Sequence, residues 1–433
     1  MAQTPRPEQN YERIVKSDPD LTRSVGIAEN PWYRLEEHFM CSFGQRRKQM
    51  QSKQVIGRSG SMSLMLGPRV AVLMAASAML VPLRPAVAQS QATPGAPSVP
   101  LLPQALANGV ANRITYQYNT EFVTVGNPGN ANWNGLDQMR GNGGIGYEYR
   151  IGRTEINTTQ WVAFLNAALA RPSNDRIPWI SVPSSWGARP DPFYSGPGRR
   201  FVVPAGNENL GVGDISWRAA SVYCNWLHNN QQTSRQSFLN GAYDVSTYGG
   251  SGHVFTDQAA HSPGARFWIP TMGEWMKAAF FDPSNSQQVS QPGWWRYPNG
   301  SDVVPVYRAP EAGGGANAGF NSTTSGIDAT RIPLMSYTNT QSPWGVMDLA
   351  GSTQEWTESI YRSSNGNLSR ILLGSAWASP VDYFIDRLGT VGAGHPGDEG
   401  YFQGFRIAAS IPTPSVGAAV FIIAAGLNAR RRR

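Results

Sequence analysis

The stretch GSAWASPVDYF, from Gly374 to Phe384, brings serine hydroxyls, an aromatic ring and a carboxylate together within a few residues. Ser375 and Ser379 would need a neighbouring base to act as nucleophiles, and the adjoining sequence contains no obvious one. The stretch also lacks a pair of cysteines or histidines that could bind a metal ion. Its residues therefore suit a binding surface, or an active site without its reactive group.

The other residue types that perform chemistry are sparse. The five histidines show neither H-x-x-H nor H-E-x-x-H spacing, and no G-x-S-x-G segment is present. Of the two cysteines, only Cys224 falls in the part of the chain expected to be globular. Trp217, Cys224 and Leu227 recur at helical spacing on one face, so we predict a buried, unreactive thiol.

Aromatic residues are frequent in the turn-rich segments. They include Trp294, Trp295, Tyr297, Trp344, Trp356 and Trp377. Aromatic faces beside a few polar groups bind sugars and extended peptides, but the same rings can form the core of a domain with few helices. The sequence leaves both interpretations open.

Three segments have helical periodicity and recognisable first residues. We predict helices at 158–170, 217–229 and 271–281. Thr158 or Thr159 is the expected N-cap of the first helix, and Ser216 that of the second. Thr271 and Glu274 have the spacing of a capping box in the third.

Strands are expected mainly in short pieces. The alternating segments RITYQYNTEFVTV (113–125) and RILLGSAW (370–377) predict two of them. The chain contains 46 glycines and 32 prolines, which divide it into many short segments. Few helices among so many turns indicate an α+β fold with much irregular structure.

The positive charge of the chain is concentrated at its ends. The formal net charge is +7, but residues 1–88 and the four C-terminal arginines carry the excess. Between them, 89–429 contains 20 basic and 22 acidic residues. We therefore expect no nucleic-acid partner, and we assign the terminal charge to targeting.

The N-terminal region resembles an export signal. Residues 62–88 contain Arg69, an apolar run and a small-x-small cleavage site that ends at Ala88, which are the features of a secretory signal peptide. Residues 1–61 precede it, so we predict either an incorrectly assigned start or an extended leader. The Pro/Ala/Ser-rich segment 89–110 is predicted to be a linker.

The C-terminal segment 411–433 has three parts in order: a proline-containing motif, an apolar run and a block of arginines. This order resembles the PEP-CTERM sorting signals of bacteria. The resemblance implies contact with the export and sorting machinery and with a membrane. We therefore expect an exported protein, located in the periplasm, on the outer surface or outside the cell.

Seven segments between residues 145 and 409 resemble a known family. In chain order they are YEYRIGRTEINTTQWVAFLNA, ISWRAASVYCNWL, RFWIPTMGEWMKAAF, WWRYPNGSD, SPWGVMDLAGSTQEWTE, LLGSAW and GFRIA. They are similar to the sulfatase-modifying factor family, whose namesake is the formylglycine-generating enzyme. The resemblance implies the compact α+β fold of that family, which is related to C-type lectins, over a domain at 111–410.

The resemblance also implies a copper site, for which this chain lacks the ligands. Catalytic members hold copper with two cysteines that follow a Gly-Gly-Ser-aromatic stretch. In this chain those two positions fall on Ser379 and Phe384. Cu(I) prefers thiolate ligands, so neither copper binding nor formylglycine generation by the family's mechanism is expected.

A calcium-type site of the family corresponds to GSTQEW at 351–356, where Ser352 replaces an asparagine and Glu355 matches. Calcium is the one cofactor that the resemblance leaves open. The alternative is that Glu355 pairs with an arginine or caps backbone amides. Arg387 and Arg406 match recurrent family arginines, and we predict structural ion pairs for both.

These observations predict a binding groove without catalytic residues. The expected lining residues are Trp356, Ser375, Trp377, Ser379 and Arg387. The ligand would be a peptide, a glycan or a small molecule. The alternatives are a divergent oxidoreductase of the family with altered metal chemistry, and a structural component of the cell surface.

Overall fold

The computed structural model of the protein describes residues 114–412, apart from 185, 252, 287–290, 319–327, 378 and 380–384. They belong to a compact unit that spans Pro97–Arg433. The helices are α1 (Thr158–Leu169), α2 (Trp217–His228), α3 (Gln236–Leu239) and α4 (Met272–Phe280). Single 3-10 turns lie at Ser173–Asp175, Val245–Thr247, Pro310–Ala312 and Ala329–Arg331. The predicted leader, signal peptide and linker, and the tail beyond residue 412, lie outside the described residues.

A five-stranded antiparallel sheet joins the two ends of the domain. Its strands, in spatial order, are β1 (Thr115–Gln117), β2 (Thr120–Val125), β3 (Tyr149–Gly152), β13 (Ala408–Ala409) and β8 (Phe267–Trp268). The segment 113–125, predicted as one strand, forms a hairpin. Tyr118 and Asn119 both have positive φ, 51° and 59°, as the tightest hairpin turns require.

A second sheet of four strands supports the candidate site. Its order is β11 (Gly392–Gly394), β10 (Leu368–Leu373), β9 (Gln354–Arg362) and β12 (Gln403–Gly404), and β12 runs parallel to β9. The predicted strand at 370–377 ends earlier, at Leu373. Gly374 adopts a left-handed φ of 76°, which turns the chain out of the sheet. Two-stranded ribbons pair β4 (Arg189–Pro190) with β5 (Phe201–Val202), and β6 (Gly250–Ser251) with β7 (Val254–Phe255).

The N-cap of the first helix is Asn157, one residue before the earlier of the two predicted caps. Asn157 accepts a hydrogen bond from the Gln160 amide at 2.9 Å, and the Gln160 side chain accepts one from the Asn157 amide at 2.8 Å. The prediction of Thr158 or Thr159 as the N-cap is therefore wrong. The Thr158 hydroxyl donates to the Leu210 carbonyl at 3.0 Å instead, so a tertiary contact engages it.

The caps of the other two predicted helices are confirmed. Ser216 accepts from the Ala219 amide in α2, and Thr271 and Glu274 form the capping box of α4. Cys224 on α2 is fully buried, and burial raises the pKa of its thiol well above the usual value. The predicted burial of this cysteine is confirmed, and a thiol that favours its protonated form is a weak nucleophile.

The core is rich in aromatic side chains and lies between the helices and the two larger sheets. Of the six aromatics in turn-rich segments, Trp294, Tyr297, Trp344, Trp356 and Trp377 are buried. The core interpretation is thus confirmed for these five. The predicted α+β fold with few helices is confirmed as well. None of the described helices is long and apolar enough to cross a membrane.

Candidate functional site

The candidate site lies where two turns meet. The turn before β9 comprises residues 350–353, and the turn after β10 comprises residues 374–379; together they are called the paired turns. They are adjacent because β9 and β10 are antiparallel neighbours, with Leu373 opposite Glu355. The Gly351 amide donates to the Ser375 hydroxyl at 2.8 Å, which fixes one turn against the other.

A second set of contacts determines the shape of the first turn. Ser352 has a φ of 55°, and its carbonyl accepts a hydrogen bond from the Trp377 amide at 2.9 Å. Its own amide donates to the Asn317 side chain at 2.6 Å. A Cβ on Gly351, where φ is 88°, would lie only 2.0 Å from the same Asn317 oxygen. Glycine is therefore required at this position.

Three of the predicted groove residues lie on the second of the paired turns. Ser375 is buried, whereas Ser379 is partly exposed and accepts a hydrogen bond from the Ala376 amide at 2.9 Å. Trp377 is 6% exposed and packs edge-on against Tyr401, with ring centroids 5.9 Å apart. Its indole nitrogen has no hydrogen-bond partner among the described residues. Phe384, which the resemblance assigns to the second family cysteine position, lies outside them.

Trp356 lies beneath this surface instead of lining it. Its side chain is fully buried, and its indole nitrogen donates to the Ile215 carbonyl at 2.7 Å. In this arrangement the ring cannot touch a ligand. Trp356 joins β9 to the start of α2 and thus supports the site from the core.

A small pocket opens beside Gly374, with room for about one water molecule. Trp275, Asp386 and Arg387 contribute to its lining. Arg387 is exposed, and Asp386 is buried. Of the predicted groove residues, Arg387 lines this pocket.

Asp386 is a candidate functional residue that the sequence did not reveal. Its carboxylate accepts hydrogen bonds from the Ser375 amide at 3.1 Å and from the Tyr307 hydroxyl at 3.0 Å. Burial raises the pKa of Asp386 to about 6, against the opposing effect of these hydrogen bonds. Its only sequence signal is its place beside Arg387, because its partners lie far along the chain.

Glu355 and Arg406 form a fully buried ion pair. The guanidinium donates to both carboxylate oxygens, at 2.5 and 2.6 Å, and the Trp275 indole donates to one of them at 2.9 Å. Burial lowers the pKa of Arg406, but the charge and hydrogen bonds of Glu355, together with the charges of Glu155 and Asp348, outweigh it, so the net shift is upward. The predicted ion pair of Arg406 is confirmed.

This ion pair affects the predicted calcium site, because Glu355 is the only carboxylate of the two predicted ligands, Ser352 and Glu355. Both of its oxygens are engaged by Arg406, so the side chains as arranged do not fit a calcium ion well. No group of three or more His, Cys, Asp or Glu side chains in the described ranges is placed to hold a metal ion. Calcium at Ser352 and Glu355 stays a prediction.

Glu155 is another buried acid near the paired turns, and the sequence did not single it out. One of its oxygens accepts from the Thr353 amide at 3.0 Å, and the other has no partner in the described part of the chain. Burial raises its pKa well above the usual value, and the nearby charge of Glu355 adds to the shift. Arg406 donates to Glu355 and to backbone carbonyls, whereas burial makes Glu155 favour its neutral form.

Comparison with solved structures gave several matches of low identity. CarF shares 19% identity over 68% of this chain and 99% of its own, with a TM-score of 0.43. Variable protein 1 of Treponema denticola shares 16% over 69% and 99%, with a TM-score of 0.39. PvdO from Pseudomonas aeruginosa shares 14% over 69% and 98%, with a TM-score of 0.40. A comparison with curated proteins gave no match.

Comparison with protein families gave one match over most of the domain. Residues 121–411 match the Sulfatase-modifying factor enzyme 1-like domain. The matched range includes all four helices, both paired turns and the two larger sheets, except for β1 and the first residue of β2. The chain therefore belongs to the sulfatase-modifying factor family.

Proposed function

We propose that this protein is exported to the cell surface, where its domain binds a peptide, a glycan or a small ligand instead of generating formylglycine. The observation that carries the proposal is Ser379, which stands where catalytic relatives are expected to have a copper-binding cysteine. Its hydroxyl accepts a hydrogen bond from the Ala376 amide. A serine hydroxyl is not the soft thiolate ligand that Cu(I) prefers.

Cys224, the one cysteine in the sequence of the domain, does not take the place of the two cysteines that copper binding would need. Cys224 lies on α2 with no exposed surface, and burial keeps its thiol protonated. The surface beside the paired turns offers other groups to a ligand. Tyr401 is 40% exposed next to Trp377, and Arg387 is exposed beside Gly374. An exposed aromatic ring suits a sugar or an extended peptide.

The first test measures metal content and oxidation together. The full-length chain would be loaded with copper, dialysed and assayed by mass spectrometry, then incubated with oxygen and a cysteine-containing peptide. We expect no retained copper and no conversion of thiol to aldehyde. Bound calcium, measured in the same samples and in Glu355→Gln, tests the predicted calcium site.

The matched control restores both thiols with Ser379→Cys and Phe384→Cys in one chain. Copper retained by this variant alone would show that the missing cysteines limit metal binding. Conversion of the peptide by the unmodified chain would contradict the proposal, because oxidation would then proceed without the thiolate pair.

A divergent oxidoreductase is the second candidate, and Asp386 is the observation that favours it. A buried acid with a pKa of about 6 beside a pocket can exchange a proton near neutral pH. Oxygen consumption by the full-length chain would be measured with small thiols and redox metals. Consumption that disappears in Asp386→Asn would support this candidate, and no consumption under any condition would exclude it.

A further inference from the structure

The loop between β7 and β8 is held against the second sheet by two buried side chains. Residues 258–262 are called the docked loop. Arg370 on β10 donates to the carbonyls of Gln258 and Ala259 at 2.6 and 3.0 Å. Glu358 on β9 accepts a hydrogen bond from the His261 amide and pairs with His261 Nδ1 at 2.7 Å. The contact made by Arg370 involves a cation that does not lose its proton. The contact made by Glu358 depends on the protonation state of His261.

His261 lies in surroundings that favour its charged form. Its side chain is 25% exposed, whereas that of Glu358 is 2% exposed. The imidazole stacks on the Trp268 indole, with ring centroids 4.6 Å apart and planes 21° apart. An imidazolium over an indole face gains a cation–π interaction that the neutral ring lacks. A buried carboxylate in contact favours the same protonation state.

Three further ionisable side chains lie near the docked loop: Glu274 on α4, Arg370 on β10 and Tyr243. Glu274 on α4 accepts two hydrogen bonds from the Trp268 indole, so a second buried carboxylate lies behind the stacked ring. Arg370 supplies one positive charge from β10, and the Tyr243 hydroxyl lies 3.4 Å from Glu358. Burial raises the pKa of Tyr243 well above 10, so it stays neutral. Protonated His261 is therefore the second cation, after Arg370, beside the two buried carboxylates of Glu358 and Glu274.

We propose that His261 and Glu358 form a pH-sensitive latch, which holds the docked loop on the second sheet while His261 is protonated and loosens it when His261 is neutral. Burial lowers the pKa of His261, but the hydrogen bond and charge of Glu358 outweigh it, and the net shift is upward. The charged contact is therefore complete below about pH 6.5 and is lost as the pH rises through the higher folded value. Arg370 remains charged throughout, so the loosening is local to the His261 end.

The test uses the full-length chain with isotope-labelled histidine. His261→Gln assigns the resonance, and its titration is followed by NMR. We expect an apparent pKa above 6.5 for His261 and a lower value in Glu358→Gln. His228 is an internal control, because burial shifts its pKa downward. Hydrogen exchange, expressed as protection relative to the free peptide, should fall several-fold in the docked loop between pH 5.5 and pH 8.

In His261→Gln, the protection of the docked loop should be the same at both pH values and equal to that of the unmodified chain at pH 8. A His261 pKa at or below 6.5 would overturn the proposal. So would an equal change of protection with pH in the unmodified chain and in His261→Gln. His261 is partly exposed, so we expect His261→Gln to fold. The comparison of this variant with the unmodified chain therefore tests the proposal even if Glu358→Gln does not fold.

Discussion

Individual residues in this domain show how buried charge is compensated. Arg406 donates to both oxygens of Glu355, whereas Glu155 accepts no hydrogen bond from a cation among the described residues, and burial raises its pKa. Lys277 follows the same rule: it is buried against the Asn127 carbonyl, and burial lowers its pKa to about 8. For Glu155 and Lys277, burial sets the direction of the pKa shift, and a nearby charge adds to it or opposes it.

The first prediction concerns removal of the buried cation. Arg406→Met leaves the Glu355 carboxylate buried without its partner, so the free energy of unfolding should fall by roughly 3–5 kcal/mol. Denaturant unfolding of the full-length chain measures this. The matched control is Arg331→Met, because Arg331 and Asp328 are over half exposed and 4.0 Å apart. That change should cost about 1 kcal/mol or less. Equal losses in the two variants would contradict the assigned role of the buried pair.

The second prediction concerns Asp386, whose pKa rises from 3.8 to about 6 in the folded domain. Between those values the folded state binds more protons than the unfolded state. The free energy of unfolding should therefore fall as the pH rises from the unfolded pKa of Asp386 to its folded pKa. The expected slope is about 1.4 kcal/mol per pH unit. Asp386→Asn should lose this contribution, as measured by unfolding at several pH values.

Asp348 also has a pKa raised to about 6, so the Asp386 variant should keep part of the pH dependence. Asp328→Asn, at an exposed position, serves as the control and should leave the slope unchanged. If Asp386→Asn has the same slope as the unmodified chain, the buried carboxyl is not the titrating group.

The turns between strands, more than the helices, shape the candidate site. The paired turns are joined by hydrogen bonds from Gly351 to Ser375 and from Trp377 to Ser352. Left-handed backbone at Gly351 and Ser352 makes these contacts geometrically feasible. Such strained turns persist only where surrounding contacts hold them, and here Asn317 provides one.

Gly351→Ala tests this arrangement. Its Cβ would meet both an unfavourable φ of 88° and the Asn317 oxygen at 2.0 Å, so stability should fall by more than about 1–3 kcal/mol. Gly313→Ala is the control, since its φ is 76° but nothing lies within 4 Å of the added Cβ. The difference between the two variants isolates the collision with Asn317. Equal losses of stability in the two variants would mean that the positive φ alone, without a collision with Asn317, explains the need for glycine at position 351.

At the scale of the whole molecule, the proposed export depends on segments at the two ends of the chain. Deletion of residues 411–433 should abolish retention at the cell surface, because it removes the apolar run and the four arginines together. Cell fractionation with an antibody to the domain measures this. Replacement of the four arginines by alanine separates the charge from the apolar run. Unchanged surface retention after the deletion would contradict the sorting role of the tail.

The sequence by itself determined the features that depend on local patterns. Helix ends followed from side chains within one turn, as at Thr271 and Glu274. The burial of Cys224 followed from helical spacing, and the order of seven segments identified the family. The resemblance to the family likewise places Ser379 at a cysteine position, and this assignment stays a prediction. Contacts within a few residues and ordered motifs are properties of the chain itself.

Tertiary structure alone decided which of these residues meet. Trp356 is buried beneath the site because β9 lies under it, although its motif suggested a place in the groove. Asn157 caps the first helix because a neighbouring loop engages Thr158. Asp386 and Tyr307 are 79 residues apart in the chain but 3.0 Å apart in space. Such partners depend on packing between distant elements, and no local pattern encodes that packing.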